Sequence, residues 1–192
     1  NQAGMEPRSD AVPGLRSDPP ESVADPCEGE SDLLAIRKPA LLRFELQNRI
    51  NEVLARASSL EEAAPEILRE IAVKGDWVFA GLWVLDPGGE RLCFLNSWPS
   101  EDPSLQTFIA CSFEIALARG EGLPGAAWEG NHSIWLPDFE QRLKFLRLRA
   151  AQDCGLKSGT CFPLRLAGKV LGIMEFFSRE QRSEDKDFLE TL

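Results

Sequence analysis

The sequence predicts an α+β fold in which helices cover both faces of an antiparallel-rich central sheet of about six strands. Three observations support this prediction. Apolar, β-rich segments form one hairpin pattern near residues 77–98 and a second near residues 158–178. Shorter strand and helix patterns alternate between the two hairpins, and helical patterns flank both. Hairpins at both ends of a domain favour antiparallel pairing, with the helices packed on the sheet faces.

Residues 1–38 differ in composition from the rest of the chain, and we expect them to form a disordered, acidic, proline-rich linker. Residues 1–32 hold eight acidic residues, two arginines, five prolines and no aromatic residue. Such a segment buries too little apolar surface to offset the entropy lost on ordering. An acidic docking tail is the alternative interpretation. Residues 39–192 are predicted to form one domain.

Two helices are predicted to begin this domain. Apolar residues at steps of three and four between Leu42 and Ala57 predict a helix over residues 39–57. The stripe follows roughly the coiled-coil period, so the helix can pack on its own domain, pair with a second subunit, or do both. Ser59 to Glu62 has the pattern of a capping box that starts the second helix.

The remaining elements follow from the pattern of apolar residues. The predicted strands are Trp77–Leu85, Arg91–Trp98, 113–117, Ile134–Leu136, Ser158–Leu166 and Lys169–Ser178. The predicted helices cover residues 103–111, a short segment starting near Pro124, residues 141–153, and residues 183–192 with Ser183 as the cap. The last helix stops without a cap, so it is interpreted as truncated, and the natural protein is expected to continue.

Charge and composition exclude several classes of function. The net charge is -10 and the sequence pI is about 4.7. An acidic surface repels phosphate backbones and anionic lipid heads, so nucleic acid is not an expected partner. The sequence holds no apolar run near the roughly 20 residues that span a bilayer, so no membrane segment is expected.

The cysteines predict neither a metal site nor a disulfide framework. There are five of them, none in a Cys-x-x-Cys pair, and His132 is the only histidine in the sequence. A structural zinc site needs four closely spaced soft ligands, which this pattern lacks. An odd number of widely spaced thiols is typical of a reducing, cytoplasmic compartment. A catalytic Cys–His pair would have to use this one histidine.

Four ordered motifs carry a family resemblance. They are Gly120 to Glu129 (GEGLPGAAWE), Ile134 to Asp138 (IWLPD), Phe162 to Leu164 (FPL), and Gly168 to Ser178 (GKVLGIMEFFS). In this order and spacing they resemble the signature of bacterial GAF domains, over roughly residues 41–192. The resemblance implies a GAF/PAS-like fold. It also implies a non-catalytic domain that senses a small molecule, or relays a signal through dimeric flanking helices, in a multidomain signalling protein, with a sensor histidine kinase as the expected parent.

The resemblance places a ligand pocket between the sheet and the loops around residues 112–140. Glu175 is the most unusual residue there, because it is a carboxylate inside an apolar strand. It is expected either to face the pocket or to be satisfied by an ion pair or by solvent. The candidate ligand-binding residues are Trp128, His132, Asp138, Thr160 and Glu175. For Trp128 a core position, for His132 a surface loop, and for Asp138 a helix or loop cap are the alternatives.

Differences from specialised members of the family restrict the classes of ligand that are expected. No cysteine is followed by histidine, so a covalently attached bilin is not expected, and no Asn-Lys pair occurs, which argues against a cyclic nucleotide. No cofactor is predicted, although haem ligation through His132 stays open. The alternatives are a ligand-free dimerisation or interaction module and an enzyme similar to free methionine sulfoxide reductases. The enzyme would use pocket cysteines chosen from Cys93, Cys111 and Cys161, and whether these or Cys154 are reactive stays open.

Overall fold

The structure of the chain is a computed structural model that describes residues 44–139 and 146–191. Helix α1 covers residues 44–56 of this range, and the helices that follow are α2 (Leu60–Lys74), α3 (Gln106–Phe113), α4 (Gly122–Gly130), α5 (Leu148–Asp153) and α6 (Lys186–Thr191). The strands are β1 (Phe79–Leu85), β2 (Leu92–Trp98), β3 (Ala116–Leu117), β4 (Ile134–Leu136), β5 (Ser158–Leu166) and β6 (Lys169–Ser178). The predicted linker at 1–38 lies outside the described residues.

The six strands form one sheet in the order β3-β2-β1-β6-β5-β4, and every neighbouring pair is antiparallel. The first hairpin joins β1 to β2, and the second joins β5 to β6. The α+β prediction with about six strands is therefore confirmed. Because β1 and β6 pair with each other, the two hairpins meet at the centre of the sheet.

Each face of the sheet carries its own hydrophobic core. On the first face, α1 and α2 pack over strand residues that include Leu82, Phe162 and Phe176. On the second face, α3, α4 and α5 pack over Phe79, Phe177 and their neighbours. Since successive side chains of a strand point to opposite faces, a central strand covered on both sides is apolar throughout. This explains the unbroken apolar sequence of β1.

The structure corrects two predicted boundaries. Residues 113–117 were predicted as a strand, but Phe113 ends α3 and only Ala116–Leu117 pair with β2. The Phe113 ring packs edge-on against Phe94, with the ring centroids 4.9 Å apart, and this contact favours the helical position. Of the predicted helix 141–153, residues 141–145 lie outside the described range, residues 146–147 form a turn, and the helix is observed at Leu148–Asp153.

The caps of α2 and α6 also differ from the predicted pattern. The Ser59 hydroxyl accepts a hydrogen bond from the backbone N–H of Glu62, as expected, at 3.3 Å. The Glu62 carboxylate, however, accepts from the N–H of Ser58 rather than from Ser59. At α6, the Asp185 carboxylate accepts from the N–H of Phe188 at 2.9 Å, so Asp185 is the cap and the prediction of Ser183 was wrong.

Among the described residues, no helix is long and apolar enough to cross a membrane.

The β5–β6 hairpin closes through a two-residue turn that generates a first prediction. Ala167 and Gly168 both have positive φ values, 50° and 78°, as a type I′ turn requires. Alanine adopts this conformation at a cost that asparagine largely avoids. We expect Ala167→Asn to raise the free energy of unfolding by about 0.5–1 kcal/mol, measured by urea denaturation. Gly168→Ala is the matched control and should lower it; an unchanged midpoint for Ala167→Asn would contradict the assignment.

Candidate ligand-binding site

A buried ion pair between Glu175 and Arg147 occupies the second face of the sheet. Glu175 lies in the middle of β6 and is fully buried, and Arg147 lies on the turn before α5 with 2% of its surface exposed. The guanidinium donates two parallel hydrogen bonds, from Nη1 to Oε1 at 2.9 Å and from Nη2 to Oε2 at 2.6 Å. This bidentate geometry is the strongest that an arginine and a carboxylate can form.

A hydroxyl of α3 extends the ion pair into a short hydrogen-bond chain. Nη1 of Arg147 also donates to Oγ of Ser112 at 2.7 Å, and that hydroxyl donates to the carbonyl oxygen of Phe108 at 2.7 Å. Ser112 is fully buried, so these bonds replace the water that its hydroxyl has lost. The chain of bonds connects β6, α3 and the turn before α5 through one guanidinium group.

Among the described residues, three aromatic rings lie close to the same guanidinium. Its central carbon lies 4.5 Å from the ring centroid of Phe108, 4.9 Å from that of Trp83 and 5.9 Å from that of Phe177. Distances of up to about 6 Å allow cation–π attraction, which strengthens when the pair is shielded from water. We call the six residues of this site the Arg147 cluster: Trp83, Phe108, Ser112, Arg147, Glu175 and Phe177.

One polar group of the Arg147 cluster is unsatisfied. The Trp83 side chain is fully buried, and its indole N–H has no hydrogen-bond partner among the described residues. Buried donors in folded proteins nearly always find an acceptor, so an orphaned one needs an explanation. A ligand that carries an acceptor atom would supply one.

The local sequence makes room for the Glu175 side chain. Across the β1–β6 ladder Glu175 faces Gly81, and across the β5–β6 ladder it faces Cys161. A Cβ atom on Gly81 would lie 3.0 Å from Oε1 of Glu175 and 2.8 Å from the Phe94 ring. Glycine is therefore required at position 81 by space, even though the backbone there is an ordinary strand.

Packing alone does not account for a charged pair at this position. Removing two ions from water is costly, and well-packed apolar residues of similar volume are often at least as stabilising as a buried ion pair. The presence of Arg147 and Glu175 in the core is thus only weak evidence that the pair stabilises the fold. It favours the hypothesis that the charges serve binding or switching.

The structure separates the other predicted site residues from Glu175. Trp128 is buried in α4 within the core of the second face, and the guanidinium carbon of Arg119 lies 5.1 Å from its ring centroid. Thr160 pairs with Phe176, so it faces α1 and α2, and its hydroxyl donates to the carbonyl oxygen of Ile134. Thr160 and Glu175 therefore lie on opposite faces of the sheet.

His132 and Asp138 lie nearer the surface. The exposed His132 follows α4, with Nδ1 lying 2.9 Å from the carbonyl oxygen of Gly130. Asp138 lines an open cleft of about 590 Å³ together with Lys157 and Arg179, and its carboxylate accepts from the Gln181 amide at 2.8 Å. The five predicted residues thus do not converge on one pocket, and each stays a prediction as a ligand-binding residue.

In the described ranges 44–139 and 146–191, no group of three or more His, Cys, Asp or Glu side chains could hold a metal ion.

The glycine-rich loop before α4 uses several of its amides internally. The N–H of Gly120 donates to the carbonyl of Gly125 at 2.8 Å, and the N–H of Ala118 donates to the Glu121 carboxylate at 2.9 Å. A Cβ on Gly125 would lie 2.3 Å from the Ala118 carbonyl oxygen, so the loop can close only with glycine there. The motif is explained as a compact strand-to-helix connection.

Sequence reasoning found Glu175 and missed Arg147. The buried carboxylate implied a nearby cation, but several basic residues in the stretch from Arg142 to Lys157 could have provided it. Only the path of the chain before α5 selects Arg147. The missed aromatic partners, Trp83 and Phe108, were visible as core residues, with no signal that they contact a charge.

Comparisons with known proteins agree with the fold. A family model described as GAF domain matches residues 57–192. The GAF domain of a phosphoenolpyruvate-protein phosphotransferase from Coxiella burnetii is similar at TM-score 0.64 and 16% identity, covering 79% of this chain and 86% of that one. Free methionine-R-sulfoxide reductase from Neisseria meningitidis, solved with its substrate, is similar at TM-score 0.62 and 16% identity, covering 80% and 83%. The A. Aeolicus nlh2 GAF domain in an inactive state reaches 0.58 at 18% identity, covering 79% and 86%. Among curated proteins, none matches significantly.

The buried pair generates a second prediction. Arg147→Met or Glu175→Leu alone leaves one uncompensated buried charge, so each should lower the free energy of unfolding by about 3–5 kcal/mol. The double variant removes both charges and should lose clearly less than the sum of the two. Arg56→Met, in the exposed pair with Glu66, is the control and should cost under about 1 kcal/mol. Urea denaturation gives all four values, and additive losses in the double variant would contradict a direct pair.

A third prediction concerns the space beside Glu175. Gly81→Ala should cost about 1–3 kcal/mol, because the added methyl group overlaps the Phe94 ring and crowds the carboxylate. Gly88→Ala is the matched control, since a Cβ there approaches nothing closer than 3.8 Å, and its effect should stay within about 0.5 kcal/mol. Chemical denaturation measures both. Equal effects of the two substitutions would show that space at position 81 is not limiting.

Proposed function

The chain belongs to the GAF domain family, and from this premise we propose that it is a small-molecule-sensing or signal-relay domain of a multidomain bacterial signalling protein, such as a sensor histidine kinase. The observation that carries the proposal is the buried Arg147–Glu175 pair with its aromatic surroundings. Because packing alone does not favour two buried charges, this pair supports a role in recognition.

The Arg147 cluster is placed where binding would alter several elements at once. A sensor needs two arrangements of its structure, and a ligand selects the one in which it makes more favourable contacts. The guanidinium of Arg147 bonds to Glu175 on β6 and to Ser112 on α3, and its backbone starts α5. A ligand that changes one of these bonds therefore changes how α3 and α5 are held against the sheet.

Strand β6 provides a route from this site to the terminal helices. Phe176 follows Glu175 and points to the opposite face, where its ring packs against Phe188 of α6 and Trp77. On the same face, Arg49 of α1 forms ion pairs with Glu66 and with a second carboxylate of α2. Displacement of β6 would thus reach α6 directly, and α1 through α2. We propose that these flanking helices form a homodimer and connect to a downstream effector domain.

We propose that the domain itself is not an enzyme. Of the described cysteines, Cys154 and Cys161 are buried, while Cys93 and Cys111 are partly accessible. Cys93 pairs with Val84 and so faces α1 and α2, whereas Cys111 belongs to α3 on the opposite face. A nucleophilic and a resolving thiol have to meet, which is not favoured for Cys93 and Cys111. Cys161 lies on the face that α3 covers, but its thiol is buried. A cytoplasmic location, where these thiols stay reduced, is part of the same proposal.

A ligand-free interaction module is the second candidate, and one observation favours it. An apolar cleft of about 290 Å³ runs between α1, α2 and the sheet, lined by residues that include Ile50, Leu54 and Leu60. Leu54 is 50% exposed and Leu60 is 42% exposed, so apolar surface is available beside the stripe of α1. A second subunit packed on this surface would bury it without any small molecule.

A fourth prediction separates the two candidates. A panel of metabolites and nucleotides is added to the chain, and unfolding is followed by thermal shift. A sensor should be stabilised by about 5 °C or more when a ligand is present at a hundred times its Kd. Glu175→Gln should remove this shift, and Glu90→Gln, on the exposed β1–β2 turn, is the control variant and should keep it. No stabilising compound, together with a tight dimer by light scattering, would reject the sensor and support the interaction module.

A further inference from the structure

We propose that Arg147 is an internal occupant of the ligand site, and that the site binds a guanidinium-bearing small molecule in its place. This inference rests on the proposed sensing function and specifies its ligand class. The Arg147 side chain places one charged group in the interior, and the described groups that contact it, the Glu175 carboxylate and the Ser112 hydroxyl and three aromatic rings, suit a planar cation. The same groups would therefore recognise a guanidinium delivered from outside.

The surroundings of the guanidinium select a cation and reject an anion. If Arg147 leaves, the carboxylate of Glu175 stays fully buried and needs a new positive partner. An anionic ligand that instead paired with Arg147 would come close to the same carboxylate, and two negative charges in a shielded interior repel strongly. The ring faces of Trp83, Phe108 and Phe177 add attraction for a cation only.

Arg147, rather than Glu175, is the partner that can exchange. Glu175 is held in a central strand, with Gly81 paired on one side and Cys161 on the other. Arg147 lies on the turn before α5, a helix of six residues that has no side-chain cap hydrogen bond. Its preceding residue, Leu146, has 58% of its surface exposed. Moving the arginine disturbs a turn and a short helix, whereas moving the glutamate would break the sheet.

The hydrogen-bonding groups refine the ligand class. The fork of a guanidinium matches both oxygens of Glu175, which a primary ammonium cannot do with the same planar geometry. The indole N–H of Trp83, which lacks a partner among the described residues, is available for an acceptor atom elsewhere on the ligand. A small guanidino compound that also carries an uncharged carbonyl or hydroxyl oxygen fits both requirements.

The test uses a chain from which the internal occupant has been removed. In Arg147→Ala, methylguanidine should bind in the vacated space and raise the midpoint of thermal unfolding, by about 4 °C at ten times its Kd. N-Methylurea has the same shape without the charge and should have no effect. Arg147→Ala combined with Glu175→Gln should not respond to methylguanidine. If Arg147→Ala does not fold alone, it is refolded in the presence of methylguanidine or N-methylurea, and only methylguanidine should recover the folded chain.

The wild-type chain gives a second, independent readout. Argininamide, which carries both a guanidinium and a carbonyl oxygen, should bind more weakly than methylguanidine binds to the emptied variant, because it first has to displace Arg147. Binding should also speed hydrogen exchange of the α5 amides, since their helix starts at the displaced residue. Equal responses to methylguanidine and N-methylurea, or a response that survives Glu175→Gln, would overturn the inference.

The outcomes keep this inference separate from the proposed function. If a metabolite stabilises the wild-type chain but is neither guanidino in chemistry nor dependent on Glu175, the sensor stands and the assigned ligand class fails. If methylguanidine binds to Arg147→Ala while the wild-type chain binds neither argininamide nor any compound of the panel, the site chemistry stands, and both the exchange of Arg147 and the sensing function fail.

Discussion

A carboxylate in the middle of a fully covered β-sheet loses its hydration, and the surrounding structure has to replace what water would supply. Around Glu175 that replacement comes from residues far apart in sequence: the guanidinium of Arg147, the hydroxyl of Ser112 behind it, and the absent side chain of Gly81. Each belongs to a different element, so α3, β1 and the turn before α5 all depend on where one charge lies. A buried ion pair adds little net free energy to folding, whereas removing one of its partners is costly. This centre therefore restricts which groups the interior accepts more than it stabilises the fold.

The two faces of the sheet are packed differently, and β6 contributes side chains to both. Its side chains alternate between the charged centre, through Glu175, and the aromatic packing of α6, through Phe176. A strand hydrogen-bonded on both sides cannot rotate one residue without moving the next, so the faces are mechanically coupled. This coupling does not require a continuous chain of side-chain contacts across the domain. It follows from placing one polar residue in a strand whose neighbours are packed rings.

The sequence predicted the features that depend on local pattern, and not those that depend on where distant segments meet. The bounds of β5 and β6 match the prediction, because a two-residue turn separates two long apolar runs. Phe113 was misassigned since an apolar residue next to a short alternating run suits either a helix end or a strand. Glu175 could be recognised as unusual because strand burial makes a lone carboxylate costly. Arg147 could not be chosen, because it lies 28 residues away in sequence among other basic residues.

Fold similarity cannot decide what this domain binds, because at 16–18% identity the similar structures share a backbone arrangement and few side chains. The decision therefore falls to the chemistry of the interior. A preformed site that already contains a suitable group has a low apparent affinity for an external ligand, since each ligand has to displace the occupant. The proposed exchange would give two discrete states, with Arg147 either in or out of the Glu175 site. An internal occupant thus lowers the affinity for the ligand but makes the two states differ more sharply. A signalling domain has to transmit that difference to its flanking helices.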